Sequence, residues 1–438
     1  MIRSKYTVLY GDFPGPGKHL FFSTRTQATV VIDDELRELL ASLPDGDVPK
    51  AVRPTVAKLV EMGFVVESEE EDRRIITKWF DAMKSDSSRI LATVLTTYAC
   101  NFACPYCVEG EVIAPISMSR DTAEAAVSYI GCRAMEHSAQ EIFISFYGGE
   151  PLLNREAIRV VSAGLQEFAA ENGIRFSFGM TTNGSLLTPK VVNELKPYGL
   201  RGVKVTIDGT REHHDRHRPF RNGKGSFDVI LGNVLYASAH IDVDVGGNFD
   251  DENIESFPAL LDLLKSLGLH ERLHAVRFKP ISETLKDRRG ISHSADMGCV
   301  YSDPKVAGRM VDLRRLTAQK GFPVDRGVGV NLCSVVANDS QFTVDPEGKL
   351  HKCPALVGYR EFEVGSIWEG EKRKLVSGDL WERCIDCPYV PLCGDGCVYG
   401  AYLRFGELER LNCQKEYVEY LVEQNLKTDY LKKRRTGS

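Results

Sequence analysis

The chain has 438 residues, of which 43% are hydrophobic and 26% charged, with a formal net charge of −6 at pH 7. That length exceeds one ordinary core and predicts two or three domains, while the composition excludes disordered and fibrous classes. The slightly acidic balance gives no reason to expect nucleic acid, no apolar run reaches the length of a membrane span, and the first residues lack a signal peptide's apolar stretch. A cytoplasmic protein with no membrane partner is therefore expected. In that reducing compartment its twelve cysteines serve something other than disulfides, and metal ligation is the leading use.

The first predicted domain, residues 1–80, reads as a small α+β unit. Short β-prone runs occur at 6–10, 19–23 and 28–32. Asp33 or Asp34 caps a helix running through Leu43, a second helix starts near Pro54 and ends at Gly63, and Phe64–Glu67 returns as a strand. Strands, two short helices and a wing give a winged-helix-like layout. A DNA-binding use is disfavoured by Glu35, Glu38, Glu61, Glu67 and Glu69–Glu71, which would repel phosphates. Residues 69–74 read as a charged linker or a solvated helix start.

From Arg89 the pattern changes to alternating strands and helices. Strands are expected at 90–95, 142–147, 176–180, 203–207, 243–248 and 276–280, with helical patterns near 119–136, 154–171, 188–197, 226–239 and 253–267. Repeated βα units argue for an α/β fold with a parallel sheet, and six of them fit a partial (β/α)6 TIM-like barrel over residues 88–310. In such folds chemistry gathers at the C-terminal ends of strands. There, directly after the first strand, stand Cys100, Cys104 and Cys107, with Tyr106 before the last of them. A zinc site would ask for four ligands, usually in two pairs, and no fourth Cys or His follows for many residues. Three thiolates in this spacing suit a cubane iron–sulfur cluster and leave one iron open for chemistry.

The C-x3-C-x2-C spacing with its aromatic residue resembles the radical S-adenosylmethionine (radical SAM) enzymes. The resemblance implies that the open iron is chelated by the amine and carboxylate of S-adenosyl-L-methionine. One-electron reduction then yields a 5′-deoxyadenosyl radical that abstracts hydrogen from a substrate carbon. It also implies cofactor contacts at successive strand ends. Gly148, Gly149 and Glu150 would meet the methionine amine, Thr182 and Asn183 the ribose side, and Arg218, in His214-Asp215-x-x-Arg218, the cofactor carboxylate. Asp208 would stand near the active-site mouth, and Asn248, at the end of the fifth strand, would be another cofactor contact.

The C-terminal part, residues 320–438, holds a second cysteine group. Cys384, Cys387, Cys393 and Cys397 are followed by Cys413 and preceded by Cys333 and by Cys353 in Gly348-x4-Cys353. This order resembles the SPASM domain, an extension of some radical SAM enzymes that carries auxiliary clusters. The resemblance puts Cys384, Cys387, Cys393 and Cys413 on one [4Fe–4S] cluster and Cys333, Cys353 and Cys397 on another, three clusters in all. The latter is one ligand short, and its open corner could take water, Cys299, a carboxylate or a substrate thiolate. Cys132, in a helical stretch, reads as a packed thiol.

Enzymes of this kind mostly act on peptides, and the N-terminal layout resembles their leader-binding domains, with a purely structural cap as the other reading. The expected function is maturation of a ribosomally made precursor peptide, forming a cysteine thioether as in geopeptide-type maturases. A reductant such as flavodoxin or ferredoxin would be the second partner. A carbon–carbon crosslink would use the same apparatus. The alternative is an anaerobic sulfatase maturase, although an aspartate follows the Gly-x4-Cys cysteine in that family and Pro354 follows Cys353 here.

Overall fold

The computed structural model describes residues 1–43, 48–107, 115–281, 304–324, 329, 333–336, 339–394 and 396–436. At the N-terminus, β1 (Ile2–Arg3) precedes an antiparallel sheet of β2 (Thr7–Tyr10), β3 (Lys18–Ser23) and β4 (Thr29–Asp33), in that order. The Asp33 side chain caps α1 (Asp34–Ser42) by accepting from the Leu36 amide at 3.1 Å. Helix α2 (Arg53–Glu61) carries Pro54 in its first turn and gives way at Gly63, whose φ of +79° suits glycine. These elements follow the sequence pattern closely. Strand β5 (Val65–Val66) pairs with β1 and not with the three-stranded sheet. The charged run 69–74 opens α3 (Glu69–Ser85), whose four leading acids suit the positive helix end.

Six consecutive parallel strands follow: β6 (Arg89–Thr97), β7 (Glu141–Gly148), β8 (Arg175–Thr182), β9 (Leu200–Thr206), β10 (Asp242–Phe249) and β11 (Ala275–Pro280). Between them run α4 (Arg120–Glu136), α5 (Arg155–Asn172), α6 (Pro189–Leu195), α7 (Arg211–His217), α8 (Phe227–Ala237) and α9 (Phe257–Ser266). Alternate residues of each strand, such as Val94, Ile144, Phe178, Val205 and Val245, are buried with the apolar sides of these helices. The intervening residues include Ser145, Thr181, Lys204, Gly246 and Lys279 beside Phe143 and Tyr147, so the second face of the sheet mixes polar, small and aromatic side chains and is not packed as core. A site can open there without breaking the core.

The C-terminal region shares the parallel sheet. After α10 (Pro304–Gln319), β12 (Gln341–Val344) pairs in parallel with β6, and β13 (Lys349–His351), β14 (Gly365–Ser366) and β15 (Gly370–Glu371) continue antiparallel, giving ten strands in one sheet. Three helices complete the chain: α11 (Val390–Cys393), α12 (Val398–Phe405) and α13 (Lys415–Thr436). Phe80 of α3 stacks on Trp381 with ring centroids 4.4 Å apart, and Tyr10 and Phe22 pack with Tyr389, Leu392 and Val422. The N-terminal unit is thereby packed onto the C-terminal region. Among the described residues no helix is long and apolar enough to cross a membrane.

Candidate active site

The cysteine loop leaves β6 at Thr97 and is held from two sides. On one side the end of β7 reaches it, with the Gly149 amide donating to Thr97 O at 3.0 Å and the Glu150 amide to Ala99 O at 2.8 Å. The approach is so close that a Cβ at Gly148 or Gly149 would lie 2.2 or 2.3 Å from the Thr97 or Ala99 carbonyl oxygen. On the other side the Ala103 amide donates to Pro219 O, and Arg221 donates from Nε to Cys100 O at 2.7 Å. Cys100, Cys104 and Cys107 are half-buried. Burial pushes the Cys100 thiol up to about 11 and raises Cys104 as well. Both therefore stay protonated without a metal, and an iron cluster would displace those protons on binding.

A cavity of about 110 Å³ opens beside the thiols, bounded also by Tyr106, Gly148, Gly149, Thr182, Asn183, Arg218 and Asn248. Seven of the nine expected cofactor contacts thus come together on one wall. Glu150 and Asp208 differ from expectation, for they lie beneath the wall, fully buried. Glu150 accepts from the Leu152 and Asn183 amides at 3.0 and 2.7 Å and from Thr182 Oγ1 at 2.8 Å, so its oxygens tie the β8 end to the β7 end. Burial raises its pKa and these donors pull it back. Asp208 accepts from the Asn248 amide at 2.7 Å and from the Tyr106 hydroxyl, and Arg218 stands 3.8 Å away. Burial raises its pKa too, opposed first by the Arg218 charge.

Arg218 donates from Nη1 to the Tyr106 hydroxyl at 2.7 Å, while Asn248 Nδ2 stands 3.2 Å from the same oxygen. The His214 and Asp215 motif serves this arrangement from behind. Burial lowers His214, keeping Nδ1 an acceptor for the Asp208 amide at 3.1 Å, and Ser226 links its Nε2 to Arg218 O. Asp215 accepts from the Ser226 and Phe227 amides at the start of α8. The donor set fits a cluster with an organic ligand: three thiols at one end, and a buried Arg218 Nε without a hydrogen-bond partner at the other.

Lys279, at the end of β11, lines the same cavity and was not singled out from the sequence. The available signal was its place at the C-terminal end of the sixth predicted strand.

Cys333, Cys353 and Cys397 share one apolar core with Leu356, Phe362 and Val398. Burial raises the Cys353 thiol, and the neighbouring Cys333 and Cys397 thiols raise it further. Cys384 and Cys387 pack beside Trp381 and Phe80, Cys393 closes α11, and Cys413 is exposed. Among the described residues no three His, Cys, Asp or Glu side chains converge tightly enough to hold one metal ion. A cubane, whose cysteines stand at separate corners, does not need that convergence. Cys299 lies outside the described residues. Cys132 is exposed on α4 and not packed, because Ala123, Ala126, Ile130 and Ala134 form that helix's buried side.

Helices cover one face of a parallel sheet, and three thiols stand together at the C-terminal strand ends, a donor set that suits a metal cofactor. Residues 94–264 match the family model of the Radical SAM superfamily. The match spans that segment of the chain and supports an enzyme of radical SAM type, a superfamily whose members use S-adenosyl-L-methionine and a [4Fe–4S] cluster. The chain is 24% identical over 321 residues to the serine-type anaerobic sulfatase-maturating enzyme of Klebsiella aerogenes, covering 68% of this chain and 77% of that one. Its fold is similar to native anSMEcpe with bound AdoMet, at a TM-score of 0.58 and 16% identity, over 79% of this chain and 98% of that one. It is also similar to Streptococcus suis SuiB bound to precursor peptide SuiA, at a TM-score of 0.50 and 12% identity, over 94% and 99%.

Proposed function

We propose that this protein is a radical SAM peptide maturase that joins a cysteine sulfur of a ribosomally made precursor to a carbon of another residue as a thioether. The observation that carries the peptide reading is the N-terminal sheet. Among the described strands β4 has no partner on its outer side, and such an edge accepts an extended leader as an added strand. The similarity to SuiB, which runs over nearly the whole chain, supports the same reading.

When bound, the cofactor supplies a 5′-deoxyadenosyl radical that removes hydrogen from carbon. The chain's own residues do the rest. Cys100, Cys104 and Cys107 hold the cluster, Arg218 offers its guanidinium to the cofactor carboxylate, and Tyr106 and Asn248 bound the organic part. Asp208 positions Arg218 and Tyr106, and Glu150 fixes the Thr182–Asn183 turn. In the C-terminal SPASM-like region, Cys384, Cys387, Cys393 and Cys413 would hold one auxiliary cluster and Cys333, Cys353 and Cys397 a second. That second core is one thiolate short of a full set, which a substrate cysteine would complete. A small reductant of the flavodoxin or ferredoxin type would deliver electrons in the cytoplasm.

The Klebsiella relative favours a second reading, formylglycine formation. Against it, Pro354 opens a short turn over Pro354–Leu356 directly after Cys353, so the residue that follows that thiol in the chain is not the aspartate of the sulfatase-maturase pattern. Mass spectrometry of leader-bearing cysteine peptides, incubated anaerobically with reconstituted enzyme, reductant and S-adenosyl-L-methionine, separates the two. Loss of two hydrogens with the sulfur retained and closed to alkylation is expected. Replacement of the sulfur by oxygen, or no change in any peptide, contradicts the thioether reading.

A further inference from the structure

The core that holds Cys333, Cys353 and Cys397 offers three thiols where a cubane has four corners. Two residues before Cys353, at the end of β13, stands His351. Its side chain is 1% exposed, and neither Nδ1 nor Nε2 has a hydrogen-bond partner among the described residues. Leaving both nitrogens of a buried ring unsatisfied is costly, and a group so placed asks for a ligand.

Printed contacts tie this histidine to the cysteine core. Lys352 O, between His351 and Cys353, accepts from Ser334 Oγ at 2.7 Å, and Ser334 is the neighbour of Cys333. Leu356 packs with Cys353 and Cys397, and Val357 turns back against Tyr98. Tyr98 donates to Asp345 Oδ2 at 2.9 Å, and the same oxygen faces His351 Nε2 at 3.6 Å. The segment 351–353 is thus fixed both to the Cys333 segment and to Asp345.

We propose that His351 is the fourth ligand of this auxiliary cluster in the resting enzyme, binding iron through Nδ1. The assignment rests on the reading above that Cys333, Cys353 and Cys397 hold a cluster. Ligating histidines nearly always turn their other ring nitrogen to a carboxylate, and Asp345 is placed for that. Its Oδ1 accepts from the Glu347 and Lys349 amides at 2.9 and 2.8 Å, and its Oδ2 from Tyr98. So anchored, the carboxylate keeps the ring proton on Nε2 and leaves the Nδ1 lone pair to iron. Two other acids of this region are engaged elsewhere, for Glu371 and Asp339 stand 3.3 and 3.8 Å from Lys352 Nζ. A substrate cysteine takes the same corner by displacing the imidazole. The Fe–N bond breaks, an Fe–S bond forms, the thiol proton passes to solvent, and nothing is oxidised or reduced.

The test uses full-length wild-type protein grown with isotopically labelled histidine, reconstituted anaerobically with iron and sulfide, and reduced without S-adenosyl-L-methionine. Pulsed electron paramagnetic resonance is expected to show a histidine nitrogen bound to iron, and the signal disappears in His351→Ala. In His351→Cys, which restores a full thiolate set, the midpoint potential of that cluster falls, because imidazole ligation raises it. Auxiliary clusters present without any histidine nitrogen coupling overturn the assignment, as does the same coupling in His351→Ala. The wild-type spectrum decides alone if either variant fails to fold. If the protein takes up no iron beyond that of the Cys100/Cys104/Cys107 cluster, the auxiliary-cluster reading itself falls, and the ligand assignment falls with it.

Discussion

A Cys100→Ala/Cys104→Ala/Cys107→Ala variant is expected to fold, to take up about four fewer iron atoms per chain than wild type, and to make no detectable 5′-deoxyadenosine. The thiols are only half-buried, and the loop that carries them is held by backbone contacts from Gly149, Glu150, Pro219 and Arg221 that survive the change. Their loss therefore removes the cofactor and not the scaffold. Catalysis drops by at least on the order of 10⁶-fold, the lower end of enzymatic accelerations. Iron analysis and electron paramagnetic resonance check the first part and product assay the second. Full iron content in the variant would mean that the loop holds no cluster.

Gly149→Ala is expected to lower cofactor cleavage by about 100-fold, the scale of a 1 Å misplacement in an active site, and stability by about 1–3 kcal/mol. The added Cβ would lie 2.3 Å from Ala99 O and 2.6 Å from Tyr98 O, both backbone atoms two residues or less from Cys100. Neither yields easily, because Ala99 O already accepts the Glu150 amide. The cysteine loop must shift instead. Gly232→Ala is the control: that glycine lies in α8 with open space around its Cβ position, so activity and thermal midpoint stay near wild type. A Gly149→Ala enzyme with wild-type rate and midpoint would show that the close approach of β7 does not position the loop.

The cysteine loop was legible in the sequence because its chemistry is local. Three thiols within eight residues after a β-prone run carry their own meaning, and the six strand patterns gave the face on which the loop would stand. Side-chain direction was less legible. Glu150 and Asp208 sit at strand ends as expected, yet both are fully buried, where the Asn183 amide after β8 and the Asn248 amide of β10 donate to them. Strand β12 was invisible because four residues carry little periodicity and its partner, β6, lies some 250 positions away in the chain. Lys279 escaped notice because a lysine at a strand end is usually solvated, and only the register of β9, β10 and β11 reveals what surrounds it. Cys132 shows the converse, for a thiol in a helical pattern need not lie on the buried stripe.

The central claim, that this cavity houses radical SAM chemistry, meets its most direct test in one measurement. Wild-type enzyme is reconstituted anaerobically with iron and sulfide, reduced, and mixed with S-adenosyl-L-methionine, and 5′-deoxyadenosine is quantified by chromatography. Its formation in wild type, and its absence in the Cys100/Cys104/Cys107→Ala variant, is the predicted result. No 5′-deoxyadenosine from fully iron-loaded wild type, with or without cysteine peptides, would contradict the account.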